Sequence, residues 1–144
     1  MNIETKFLGE VNIDENEIIQ FPSGLPGFEE IKEFIILPLE KDSAFAILQS
    51  IKQQEIGFVI ALPFIFKQDY AFDLAEEDKE ELRIKESKDL ITYSIVTLKE
   101  PFNRSTLNLQ APVVINHKQK IAKQLVLQDA NTYPLRFPIE GSNA

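Results

Sequence analysis

A chain of 144 residues with no cysteine and a net charge of −8 fits one domain and excludes disulfides and zinc–thiolate sites. At this size roughly two thirds of the unfolded surface is buried on folding, so an apolar core suffices without staples. The acid is unevenly placed: residues 1–89 hold 20 of the 23 acidic and 9 of the 15 basic groups. Such a surface repels phosphate backbones, which argues against direct nucleic-acid binding. It suits a basic partner, and it equally serves solubility. The longest apolar stretch, Ile56 to Phe66, is about half the length of a membrane span. Met1–Lys6 lacks the basic-then-apolar pattern of a signal peptide, so a soluble cytoplasmic protein is expected.

The dominant period is two, which predicts strands. Phe7 to Asn12 alternates, and Ile18–Phe21 reads as a strand stopped by Pro22. Gly24-Leu25-Pro26-Gly27 follows, with glycines for two turns of positive φ and a proline to stiffen the bend. Phe34–Leu37, Ala44–Ser50 and Ile56–Leu62 are further strands, the last two joined by a hairpin-length turn at Lys52–Glu55. Pro63 to Phe72 also alternates, which would place Phe64, Phe66, Tyr70 and Phe72 on one face. One helix is expected over Ala75–Leu82, with Asp73 and Glu76 at capping-box spacing; it is short and strongly acidic. Leu90–Leu98 is a strong strand, and Leu107–Asn116 and Ile121–Leu127 form a closing pair around His117–Lys120. About nine strands in one domain over residues 1–139 predict an all-β, single-domain antiparallel β-barrel-like fold with one short acidic helix, closed to protect its edges. Residues 140–144 read as a disordered tail.

Catalysis finds little support. The one histidine, His117, sits in a predicted turn without the nucleophile and acid of a triad. With no cysteine, a zinc or copper site is poorly served. The acids of 69–81 lack calcium-loop spacing and offer no facing pair for hydrolysis. No catalytic residue, metal ligand or cofactor site is therefore expected. The G-x-x-G stretch loses a donor at Pro26 and is followed by Glu29 and Glu30 rather than by basic residues, so it is a turn and not an RNA clamp. What remains is a heavy load of eleven phenylalanines, mostly core, with a few placed to line a binding patch. Asn108 and Asn116 bracket Ala111-Pro112, where their amides would satisfy backbone groups freed by the proline.

Three stretches resemble the signature of the FliW family: Phe21-Pro22-Ser23-Gly24-Leu25-Pro26-Gly27-Phe28-Glu29, Pro63-Phe64-Ile65-Phe66-Lys67-Gln68-Asp69-Tyr70, and Thr106 through Asn116. Gln124 and Tyr133-Pro134-Leu135-Arg136 complete the ordered set. Ala61-Leu62 before Pro63, and Phe137 after Arg136, depart from the family's pattern. The resemblance implies a β-barrel-like monomer that acts by binding. Its partners would be flagellin in the cytoplasm and CsrA, the RNA-binding repressor of flagellin translation, exchanged in a partner switch. The protein-binding residues expected are Phe21, Leu25, Phe28, Glu29 and Glu30 around the glycine turn. To these are added Phe64, Phe66, Asp69 and Tyr70, and the acids Asp73, Glu76 and Glu77. Tyr133 and Arg136 would dock the C-terminal segment. The rival readings are a small-ligand barrel with a lumen and a chaperone for another secreted protein.

Overall fold

The computed structural model describes residues 1–40 and 43–139. The expected disordered tail lies outside the described residues. Eleven short strands form among them: β1 (Asn2–Glu4), β2 (Glu10–Asn12), β3 (Ile19–Gln20), β4 (Glu33–Pro38), β5 (Phe45–Ser50), β6 (Gly57–Ala61), β7 (Leu90–Thr97), β8 (Thr106–Leu107), β9 (Val113–Asn116), β10 (Ile121–Gln124) and β11 (Phe137–Pro138). Two short helices, α1 (Pro63–Phe66) and α2 (Glu76–Glu81), complete the frame.

The strands run in the order β7-β6-β5-β4-β3-β10-β9, and β9 pairs back onto β7, which closes a seven-stranded barrel. The expected all-β barrel is therefore what this chain builds. Six of its seven junctions are antiparallel; β3 and β10 meet in parallel at Ile121↔Gln20. Strands this far apart in sequence need no tight turn between them, so nothing forces them to run in opposite directions. β8 and β11 extend β7 as a flap, and β1 and β2 form a separate hairpin.

Alternation explains the packing. Phe34, Ala46, Leu48, Ile60, Val113 and Ile115 point into the barrel and form one cluster. Their sequence neighbours point outward but are covered too. Ile35 is buried under the β1–β2 hairpin, Ile47 and Val59 under α1 and the C-terminal segment, and Val114 beside Leu82 at the end of α2. Strands covered on both faces read as continuous apolar runs, as Phe34–Leu37 does. Gln49, fully buried, ties the layers together. Its amide faces the carbonyls of Ser50, Gln53, Gln54 and Ile56, and its Oε1 accepts from the Lys6 N–H at 3.0 Å.

Three local expectations are corrected. Pro63–Phe72 is not a strand. Proline at the first helical position starts the turn α1, whose Lys67 N–H donates to Pro63 O at 2.9 Å. Period two over so short a segment does not separate a strand from a helical turn followed by a bend. Asp73 does not cap α2: the helix begins at Glu76 after Ala75, without a side-chain cap, because Leu74 is drawn into the apolar cluster beneath. The reciprocal cap occurs instead between Glu86 and Asp89, around the 3-10 turn Ser87–Asp89. The expected strand Leu107–Asn116 is broken at 108–112. There Asn108 Oδ1 accepts from the Gln110 and Ala111 N–H groups, and Gln124 Nε2 donates to Ala111 O at 2.9 Å. Asn108 thus serves the break as expected. Asn116 instead closes the turn to β10 and donates to Leu82 O and Arg83 O, satisfying carbonyls at the end of α2.

Candidate protein-binding surface

The glycine turn brings its residues together, but mostly inward. Gly24 (φ +66°) and Gly27 (φ +85°) adopt the left-handed backbone expected of them. The turn is closed by Gly24 N–H to Phe21 O at 2.8 Å and Phe28 N–H to Leu25 O at 2.7 Å. Phe21 and Leu25, expected at a binding rim, are buried. Phe21 stacks edge-on against Phe34 with centroids 5.1 Å apart, and Phe28 is half-buried against Phe58. Placement of the apolar members of this set at an exposed rim is therefore corrected: they plug the barrel end. Glu29 and Glu30 are exposed, and Glu29 Oε2 accepts from the Gly27 N–H at 2.6 Å.

The middle motif divides in the same way. Phe66 and Tyr70 are buried, against their expected place on a binding face with Phe64: the α1 turn directs Phe66 onto Phe45, whereas Tyr70 lies beneath the exposed Phe64 in ring contact with it. Tyr70 donates to Leu109 O at 2.8 Å and packs against Phe64, Phe72 and Tyr133. Burial pushes its phenol well above the usual tyrosine range. Tyr133 donates to Ala71 O at 2.7 Å, so it docks the C-terminal segment as expected. Arg136 is exposed and has no partner among the described residues. Phe64 and Ile65 remain at the surface, as do Leu98 and Phe102. Phe102 lies 5.3 Å from Phe45. Asp69 is exposed and paired with Lys67 at 2.8 Å.

The acidic helix carries the third group. Asp73, Glu76 and Glu77 are exposed. Glu76 pairs with Lys79, whereas Asp73, Glu77 and Glu80 have no partner among the described residues. Asp78 and Glu81 grip Lys123 of β10 at 2.6 and 2.7 Å, which fixes α2 to the barrel wall. The Lys123 ammonium, bonded first to Asp78 and then to Glu81, is held above its usual pKa. Pro22 and Ser23 of the glycine turn share a small cleft with Glu81 and Lys123, so the first motif and α2 are neighbours. Sequence reasoning missed Lys123 because its partners lie more than 40 residues away.

His117 is not an isolated turn-tip residue: it is half-buried, with Nε2 3.0 Å from Lys88 O. Its neighbour Lys118 pairs with the buried Asp89 at 3.0 Å. That ammonium, with the Glu86 and Lys85 N–H groups, holds the Asp89 carboxyl below the usual range. The native state therefore binds a proton here less readily than the unfolded chain. The resulting stabilisation is complete above the ordinary aspartate pKa and is lost as pH falls through the lower native value. Asp89→Asn should lower the urea midpoint at neutral pH, and the gap to the parent should close in acid. A gap independent of pH would show that the charge contributes nothing.

The barrel has an open mouth. A cavity of about 320 Å3 is walled by Ile19, Ile36, Ile91, Tyr93 and Ile115, with Glu17 and Lys120 at its rim. Among the described residues no cluster of histidine, aspartate and glutamate could hold a metal ion, and no helix is long and apolar enough to cross a membrane.

Fold and surface define a small closed-barrel protein whose prominent features are an acidic helix clamped to the wall and a partly apolar exterior. The sequence model of the FliW protein family matches residues 2–139. The chain is 46% identical over 141 residues to the flagellar assembly factor FliW of Bacillus licheniformis, covering 98% of each chain. It is 46% identical over 143 residues to that of Bacillus subtilis, covering 99% of each. A crystal structure of the flagellar assembly factor FliW superposes with a TM-score of 0.90 at 39% identity, over 96% of both chains. The chain belongs to the FliW family of flagellar assembly factors.

Proposed function

We propose that this protein works by binding, without catalysis, as a cytoplasmic partner switch: it holds flagellin and, when free of it, captures CsrA and lifts repression of flagellin synthesis. The observation that carries this reading is membership of the FliW family over residues 2–139. The exposed carboxylates of α2 that lack a cation, Glu77 and Glu80, support it, because an RNA-binding repressor must present basic groups. Acid on the captor both attracts such a protein and disfavours RNA beside it. The reach is short, about 10 Å at 0.1 M salt. The exposed apolar residues Phe64, Ile65 and Phe102 suit the apolar helical ends of flagellin.

Titration calorimetry tests both arms. Purified CsrA should bind tightly, flagellin added beforehand should abolish that binding, and CsrA affinity should fall steadily as salt rises. No binding to either protein would overturn the switch; an affinity indifferent to salt would remove its electrostatic part. The barrel mouth favours a second reading, a small-ligand barrel, since its volume lies at the lower end for ligand pockets. A chaperone for another secreted protein would use the same apolar exterior with a different client.

A further inference from the structure

Past Gln124, where β10 ends, the chain runs on beside residues 110–112 as far as a bend at Gln128. Leu125 N–H donates to Pro112 O at 2.9 Å and Leu127 N–H to Gln110 O at 2.7 Å. Leu125 is buried, and Val126 is 62% exposed. Backbone groups of successive residues in an extended strand face opposite sides, so those of Val126 point away from residues 110–112. The N–H and C=O of Val126 and of Gln128 make no hydrogen bond to any described residue. β3, the neighbour of β10 on that side, reaches it only at Ile121. The result is an open sheet edge.

Such edges are normally guarded by charge, proline or a bulge. Here residues 125–128 carry neither charge nor proline, and the nearest lysine, Lys123, is drawn into its ion pairs with α2. Asp73 and Asp78 line an open trough of about 340 Å3 together with residues 123–128. Asp78 is occupied by Lys123, whereas Asp73 is free of any described partner. An unpaired backbone edge beside a free carboxylate, Asp73, matches one kind of occupant. Main-chain pairing supplies the affinity and cationic side chains meet the carboxylate. A second copy of this chain fits less well, because it brings the same carboxylates and a net charge of −8.

We propose that the edge at Val126–Gln128 accepts an extended, lysine- or arginine-bearing segment of a protein partner as an added strand, with its cations against Asp73 and the start of α2. This rests on the reading that the protein acts by binding other proteins, and it names the backbone that one partner uses. The test is an NMR titration of the full chain, labelled with 15N, against a capped peptide of alternating lysine and valine. The largest amide shifts should fall at 124–128, with exchange of the Val126 and Gln128 N–H groups slowed about tenfold or more at saturation. A version N-methylated at alternate residues, in either register, should bind about tenfold more weakly or not at all. Glutamate in place of lysine should abolish binding, and Asp73→Asn should weaken it. Shifts elsewhere, no binding, equal binding of the N-methylated peptides, or self-association through this edge would each overturn the proposal. If the lysine peptide protects Val126 while neither CsrA nor flagellin binds the protein, the edge stands and the partner switch falls.

Discussion

Phe21→Ala should lower the unfolding free energy by about 3–5 kcal/mol, read as a fall in urea midpoint at unchanged slope. The ring is fully buried, stacks on Phe34, and belongs to the cluster that fills the barrel. Truncation removes its apolar area and leaves a cavity that closed strands cannot collapse around. A domain of this kind has about 5–15 kcal/mol in total, so the variant would be marginal. Glu30→Ala, at an exposed position in the same turn, should change stability by less than about 0.5 kcal/mol. Any loss of partner affinity in Phe21→Ala should then follow its unfolded fraction. A near-neutral Phe21→Ala would mean that the ring is not a core member.

Gly24→Ala is the second large effect, and it has two separable causes. At φ +66° an L side chain is strained by about 1–2 kcal/mol. The new Cβ would also lie 2.6 Å from Glu29 Cα and 2.7 Å from the carbonyl oxygens of Phe28 and Glu29, all backbone atoms that cannot rotate aside. Forcing such a contact costs about a further 1–3 kcal/mol. Gly27→Ala provides the control: its φ is +85°, but nothing lies within 4 Å of the added carbon. Thermal or urea unfolding should show Gly24→Ala clearly less stable than Gly27→Ala. Equal losses would leave only the torsional cause and remove the close approach.

These two positions also show what a sequence conveys and what it withholds. The glycine turn was legible because positive φ and a proline-stiffened bend are local properties. β4 to β7 were legible because β-branched and aromatic runs between breakers have few other readings. The direction of Phe21 and Leu25 was not, since an aromatic beside a turn reads the same whether it plugs a barrel or lines its rim. Pro63–Phe72 misled because alternation over ten residues also describes a helical turn and a bend. Lys123 and the Lys118–Asp89 pair depend on partners brought together only by strand pairing, although Asp89 also takes local N–H groups from Lys85 and Glu86. The acids of α2 were legible as acids, but which of them stay unpaired was decided by Lys123 on a distant strand.

Closure also sets when this protein can begin to exist as such. β9 must reach back to β7, and β10 must lie beside β3, which precedes it by about a hundred residues. Until the chain has been made through Asn116, the partial sheet β3–β7 has two unpaired margins, and that of β3 stays unpaired until β10 follows. Long-range pairing of this sort is slow, because the entropy of joining distant segments is spent before their contacts form. The unfinished sheet therefore passes through a stage with open margins late in synthesis, and the excess acid of its first 89 residues disfavours contact between unfinished copies.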